Sequence, residues 1–439
     1  MNKRVYTAIG IAHVQIDKIL AAREPDLQVV AGVDVGKTQL LLSLRWSDGR
    51  FDKPWTVANP EQIPDLIQSL KSLGGQHKLM VAMEPTGTYG DALRQALSDA
   101  RIPLHLVSGK RAHDYAEVFD GVPSQHDGKD SAVVAELCAL GKSSPWQWSP
   151  GDERCQRIGL MVDQMQAANQ LKAIWLGRTE ALLGRYWPEA TRRLQLSSGT
   201  MMRALSHYGG PAPLAQDAAA PERLREWSAG KFKPERLGRI LACAQRTLGV
   251  RQTPIDQQRV SWCAGHALAA HLEVGRCQYR LRRLGAEHPV IAVQGRTIGI
   301  PTACLLWNEL GDPRQYHCAA AYRKAMGLNL KERSSGQHQG QLKISKRGSG
   351  PVRHWLYLSV LRLIRNEPVV RRWCRRKLRR GHTTKMSLIT ALMRKLSMSM
   401  WTVVNRDEPF DLQRMLGPAH SEQRAKKLTA LKGGAAAIG

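Results

Sequence analysis

Apolar positions change their period twice along the chain. Between residues 27 and 145, short apolar runs alternate with helical spacings. Residues 27–35 read as a strand that runs into Gly36. Residues 39–46 alternate apolar and polar side chains and then meet Asp48-Gly49, a hairpin signal. Residues 51–57 read as a third strand. Residues 60–73 carry Ile63, Leu66, Ile67 and Leu70 at helical spacing. A strand over 78–84, a helix over 89–99, a short strand over 104–107 and helices over 110–119 and 131–140 follow. This order predicts a mixed sheet flanked by helices.

The period then becomes purely helical. Ile158, Met161, Met165 and Ala168 share one face, and the phase resumes at Trp175, Leu182 and Tyr186. Cys263, Ala267, Ala270, Val274, Cys277, Leu281 and Leu284 alternate steps of four and three, which is a heptad seam. Two such helices pair as an antiparallel coiled coil, dimerise between chains, or serve as ordinary core helices. The stretch GGPAPLAQDAAAPE over 209–222 reads as a loop or linker. Residues 286–402 are mostly helical, and the last residues, LKGGAAAIG, read as a frayed tail. No internal repeat is visible. The expected divisions are an extension over 1–26, an α/β domain over 27–149, a helical or coiled-coil region over 150–287, a helical domain over 288–402 and a tail over 403–439.

Charge narrows the choice of partner. The 439 residues hold 65 Lys and Arg against 37 Asp and Glu, a net charge of +28. Apolar content of 43% and twelve Trp argue for a packed core rather than disorder. An excess of this size over a whole folded chain points to a polyanion, with nucleic acid ahead of an anionic membrane surface. The eight cysteines are scattered, with no Cys-x-x-Cys, which disfavours a disulfide scaffold or zinc site and fits reduced thiols in the cytosol. No apolar stretch is long enough to span a membrane. His13, Gln15, Asp17 and Lys18 break the apolar run at the N-terminus too early for a secretory signal.

Four acids stand out against this background. Asp34 ends the apolar run Val29-Val30-Ala31-Gly32-Val33, and Glu84 ends Leu79-Met80-Val81-Ala82-Met83, with Pro85 holding it extended. Asp127 and Asp130 sit three apart at the start of a helix and share a face. Singly, each has a plain structural explanation: a turn former, a solvent-facing strand end, or an acid at the positive end of a helix. Together they are a way to converge four carboxylates on one spot, as two-metal phosphoryl chemistry requires. Gly36-Lys37-Thr38 does not complete a P-loop, because Ala31 stands where the first glycine belongs.

A second set of residues is basic. Arg371, Arg372, Arg375, Arg376, Lys377, Arg379 and Arg380 form the densest cationic run, and Lys343, Lys346, Arg347 and Arg353 precede it. Repetition over several helical turns fits a groove for phosphates. Trp355 and Trp373 read as core. Lys231, Lys233, Arg236 and Arg239 form a further candidate phosphate contact.

GVDVGK (32–37), AMEPTGTYG (82–90) and the Asp-x-x-Asp of 127–130 resemble the DEDD transposases of the insertion sequence one-ten group. QGRTIGIPTA (294–303), Met326-Gly327-Leu328, Arg333-Ser334-Ser335-Gly336 and ISKRG (344–348) extend the resemblance, which covers about 27–145 and 288–402. The family's Lys-Thr and Ile-Asp-Ala around its last two acids are replaced here by Gln125-His126 and by Lys129-Asp130-Ser131. The resemblance implies an α/β RuvC-like domain of the ribonuclease-H fold, a pattern that the strand and helix order also follows. It further implies a coiled-coil region and a helical C-terminal transposase domain with a helix-hairpin-helix-like entry.

Asp34, Glu84, Asp127 and Asp130 would then hold Mg²⁺, two ions in all. Ser334, with Ser335 as fallback, would be the nucleophile on the DNA phosphodiester. A structured guide (bridge) RNA encoded by the element would pair with donor and target DNA, and the protein would act as a homo-oligomer in the bacterial cytoplasm, at the nucleoid. The alternatives are a RuvC-like junction nuclease that leaves free ends, a sugar kinase or ATPase with its Asp-x-Gly-x-Thr loop, and a scaffold without catalysis. The kinase reading lacks a second phosphate or adenosine motif.

Overall fold

A computed structural model of the chain describes residues 7–85, 87–120, 127–147, 152–331, 343–379 and 384–417. It separates into two compact units, residues 1–150 and 151–439.

The first unit begins with β1 (Ile9–Gly10), a single 3-10 turn and α1 (Ile16–Ala21). β2 (Gln28–Val35), β3 (Gln39–Trp46) and β4 (Trp55–Ala58) follow as an antiparallel meander. α2 (Ile63–Gln76), β5 (Lys78–Met83), α3 (Asp91–Asp99), β6 (Leu104–Val107), α4 (Gly109–Asp120), α5 (Asp127–Ala139) and β7 (Ser143–Trp146) complete it. The sheet order is β1-β4-β3-β2-β5-β6-β7. β5 lies parallel to β2, and β6 parallel to β5. The sheet is therefore mixed.

Strand alternation sends side chains to two cores. Val29, Ala31, Val33, Val81 and Met83 pack with Leu66 and Leu70 of α2 and Leu93 and Leu97 of α3. Val30 and Ala82 pack on the other face with Ala112 of α4 and Val133, Val134 and Ala135 of α5. Two elements depart from the sequence reading. β1 draws part of the N-terminal extension into the sheet, where Ile11 is buried, and β7 adds an antiparallel edge to β6. α5 also begins at Asp127, four residues earlier than its apolar spacing suggested, because its first turn is polar.

The second unit opens with α6 (Glu153–Tyr186). α7 (Pro188–Arg193), α8 (Gly199–Tyr208), α9 (Pro211–Gln216), α10 (Ala220–Trp227) and α11 (Pro234–Gln245) lead to α12 (Pro254–Ala286). α6 and α12 pair within the chain, and they run antiparallel. Arg154 at the start of α6 pairs with Glu287 just past α12 at 3.1 Å, and Tyr186 at the end of α6 donates to Asp256 in the first turn of α12 at 2.8 Å. The seam residues Cys263, Ala267, Ala270, Val274, Cys277 and Leu281 are buried, as are Ile158, Met161, Met165 and Ala168. At 1.5 Å per residue each helix is about 50 Å long. Thr253 and Asp256 cap α12 reciprocally, with Pro254 at its first turn.

Residues 209–222 correct the linker reading. Gly209, at φ 69°, ends α8, and prolines in the first turns of α9 and α10 start helices instead of breaking them. Leu214, Ala220 and Leu224 are buried with Trp187, Leu205, Ile240 and Val260, so this subdomain has a core of its own.

α13 (Pro289–Ile298), α14 (Ile300–Leu310), α15 (Ala319–Ala325), β8 (Leu330–Lys331), β9 (Lys343–Ile344), α16 (Gly350–Asn366), α17 (Pro368–Arg379), α18 (Lys385–Asn405) and α19 (Leu412–Leu416) form the rest. They share one core with the near halves of α6 and α12. α13 and α14 are joined by Gly299 alone, at φ 86°. No helix among the described residues is long and apolar enough to cross a membrane.

Candidate active site

β2 and β5 deliver the first two acids to one place. Their parallel register ends at Val33 opposite Met83, so the next pair is Asp34 beside Glu84. Partners in a parallel ladder point to the same face, and strands lie about 4.8 Å apart. Asp34 shares the face of Val30 and Gly32, which is the face that α5 covers. Gly32 is the reason α5 fits there. A Cβ at Gly32 would stand 2.2 Å from the carbonyl oxygen of Ser131 and 2.5 Å from the amide nitrogen of Ala135. Ser43, the register partner of Gly32, lies 2.6 Å from the Ser131 hydroxyl and donates to Gly128 O at 3.3 Å. The first turn of α5 is thereby fastened beside the strand ends, with Asp130 in it.

Three of the four acids lie close enough to interact electrostatically. The Glu84 carboxyl is raised above its ordinary value near 4.5, first by burial and then by the charges of Asp34 and Asp130. All three are partly exposed, so a substrate can reach them. Asp127 heads α5, but its side chain lies outside the described residues. The donor set is hard oxygen, which suits Mg²⁺. Among the described residues, however, no group of three or more His, Cys, Asp or Glu side chains is already drawn to metal-ligand spacing.

Several residues that support the site carried little or no signal in the sequence. Asn59 Nδ2 donates to Gly36 O and to Tyr89 O, each at 3.0 Å, and so ties the loop after Asp34 to the loop after Glu84. Gly109 opens α4 against the Glu84 carboxylate, and a Cβ there would lie 2.6 Å from Glu84 Oε2. Lys129 is fully buried and engaged within the fold. An isolated glycine in an apolar strand is a legible sign of close backbone approach, and Gly32 is such a residue. Asn59 and Gly109 offer no comparable sign, because their roles depend on partners distant in sequence.

In the second unit, β8 and β9 pair antiparallel, with Leu330 opposite Ile344 and Lys331 opposite Lys343. Ser334 and Ser335 belong to the segment between them, outside the described residues. The base of this hairpin is held by Ser345 N to Asn329 O at 2.6 Å and Lys346 N to Gly327 O at 3.0 Å. Arg353 donates to Met326 O at 3.2 Å and Gly348 O at 2.8 Å, which gives it a positioning task in addition to its charge. Lys343, Lys346 and Arg347 are exposed. On α17, Val370, Trp373 and Cys374 are buried, while Arg371, Arg372, Arg375, Arg376, Lys377 and Arg379 face solvent. Among the described residues none of these six is in an ion pair, and Lys377 lies over the Trp373 ring at 5.7 Å. Arg380 lies outside the described residues.

No curated protein matches the chain. Residues 295–374 match the family model described as the transposase IS116/IS110/IS902 family, a span from the end of α13 to the middle of α17 that contains the hairpin base. This similarity supports an insertion-sequence transposase, a protein that moves DNA.

Proposed function

We propose that the protein is a DNA transposase that cuts and rejoins the strands of an insertion element through a DEDD carboxylate centre and a serine nucleophile. The observation that carries the reading is the meeting of Asp34, Glu84 and Asp130 where the central strands β2 and β5 end beside α5. There burial, and then the charges of the other two acids, raise the proton affinity of Glu84. A strand order of β4-β3-β2-β5-β6 with an antiparallel meander and two parallel additions suits a RuvC-like, ribonuclease-H assignment.

Asp34, Glu84, Asp127 and Asp130 are the residues that would hold Mg²⁺. Bound there, the metal would neutralise charge on the scissile phosphate and lower the pKa of the attacking hydroxyl. Ser334 Oγ gives up its proton and bonds to phosphorus, and one deoxyribose oxygen leaves and takes a proton. The resulting phosphoserine diester keeps the bond energy for rejoining, when an incoming hydroxyl displaces the serine. The exposed cations of α17 and of the hairpin base grip the flanking phosphates. A structured RNA from the element's flanks is the proposed guide, and it would leave sequence readout to base pairing.

The test is transposition in cells, scored by sequencing new element–target junctions, with the gene and its native flanks supplied together. Asp34→Ala and Ser334→Ala are each expected to lower junction counts by at least about a thousandfold, the scale on which losing a nucleophile or its electrostatic support acts. Activity close to wild type in either variant would overturn the assignment. Sequencing of RNA that co-purifies with the protein tests the guide: transcripts from the flanks are expected, and their absence would remove it.

A further inference from the structure

The subdomain carried between α6 and α12 contains a cavity of about 670 Å³ that the transposition chemistry does not use. Arg236, Arg239 and Arg246 line it from one stripe of α11 and its C-cap, and Arg193 lines it from the end of α7. One carboxylate, Glu189, shares the wall. Its oxygens accept from Thr247 Oγ1 at 2.8 Å and Leu248 N at 2.9 Å, bonds that hold its carboxyl below the usual range. Among the described residues none of the four arginines is in an ion pair. The guanidinium of Arg236 lies 4.0 Å from the centre of the Phe232 ring, which orients it before any ligand arrives. Leu194 and Ile240 supply apolar wall.

We infer that this cavity takes an unpaired nucleotide of a single-stranded nucleic-acid segment, with the phosphate on the arginines and the base against the apolar wall. Four cations against the single carboxylate Glu189 leave the concavity net positive, which favours a bound anion. A volume of this size admits a nucleotide, whereas a duplex is a rod that lies along open grooves. Single-strand sites combine cations for the backbone with a flat contact for the base, and planar guanidinium groups can supply both. Exposed Lys231 and Lys233 sit just before α11 and extend the positive path. The site rests on cavity shape and charge. It depends on the transposase reading only for the choice of probe.

The experiment is fluorescence anisotropy on the full chain, in EDTA, so that catalysis plays no part. The probes are labelled single-stranded RNA and DNA of one sequence, and duplex DNA. Arg236→Ala/Arg239→Ala/Arg246→Ala is compared with wild type and with a variant that removes Arg371, Arg372, Arg375 and Arg376 from α17. The cavity variant is expected to lose about tenfold or more in single-strand affinity. Its slope of log K against log salt should shrink by about 0.7 for each phosphate that is no longer neutralised, with duplex affinity nearly unchanged. The α17 variant should weaken duplex binding. Equal losses on RNA and DNA single strands support a phosphate-and-base site, and loss on RNA alone supports one that also reads the ribose hydroxyl. Unchanged single-strand affinity in a cavity variant that melts like wild type would overturn the proposal, as would an equal loss on duplex. Crosslinking of 4-thiouridine and 4-thiothymidine strands, mapped by mass spectrometry, gives a readout on the unaltered protein. Crosslinks within 189–201 or 236–246 are expected, and their absence from both segments would also overturn it.

Discussion

Burial raises the proton affinity of Glu84, and the charges of Asp34 and Asp130 raise it further. A carboxyl that holds its proton more tightly folded than unfolded makes the native state the more protonated one between the two pKa values. Stability then falls as pH rises from near 4.5 through the folded pKa, and the penalty persists above it. Glu84→Gln removes the charge while keeping most of the shape. In EDTA the variant is expected to melt higher than wild type at pH 8, by about 1 kcal/mol or less given solvent screening, with the gap closing near pH 4. Thermal unfolding across that range checks it, and a wild type as stable as the variant at pH 8 would contradict the raised proton affinity of Glu84. At this scale the three acids were legible because each ends an apolar run or opens a helix. Asn59 was not, since its two carbonyl partners lie 23 and 30 residues away and only the folded sheet brings them together.

The element that decides the site's geometry is α5, which lies directly on the backbone of β2. Gly32→Ala would push a methyl group into the Ser131 carbonyl and the Ala135 amide, backbone atoms with no rotamer to yield. Overpacking of this kind costs about 1–3 kcal/mol and would lift the first turn of α5, carrying Asp130 away from Asp34 and Glu84. The expected outcome is a lower melting temperature together with loss of transposition, while duplex binding through the second unit persists. Calorimetry beside the junction assay measures both, and full activity with unchanged stability would show that α5 does not need this close approach. Strands and long helices were readable from their periods, including the seam that α6 and α12 share. The helices over 211–227 were not, because Pro- and Ala-rich composition looks the same in a linker and in a first helical turn. Their burial against Trp187 and Val260 is a tertiary fact.

Over the whole molecule, the charge of +28 is unevenly distributed. Residues 350–379 hold nine Lys and Arg against the single acid Glu367. The first unit brings three half-buried acids together where the central strands β2 and β5 end beside α5. Composition alone pointed to a polyanion partner, but the arginine-lined cavity was not legible, since Arg193 joins Arg236, Arg239 and Arg246 only through the packing of α7 on α11. The similarity over 295–374 supports a DNA transposase, and the chemistry proposed for it joins the chain itself to DNA. The measurement that tests this most directly is capture of that bond. Purified protein with its co-purified RNA is incubated with Mg²⁺ and end-labelled element-junction DNA, denatured, digested, and analysed by mass spectrometry. A DNA-linked peptide containing Ser334 is the predicted result, absent in Ser334→Ala, in Asp34→Ala and in EDTA. Strand cleavage that leaves free ends and no protein–DNA adduct would contradict this chemistry and identify a hydrolytic junction nuclease instead.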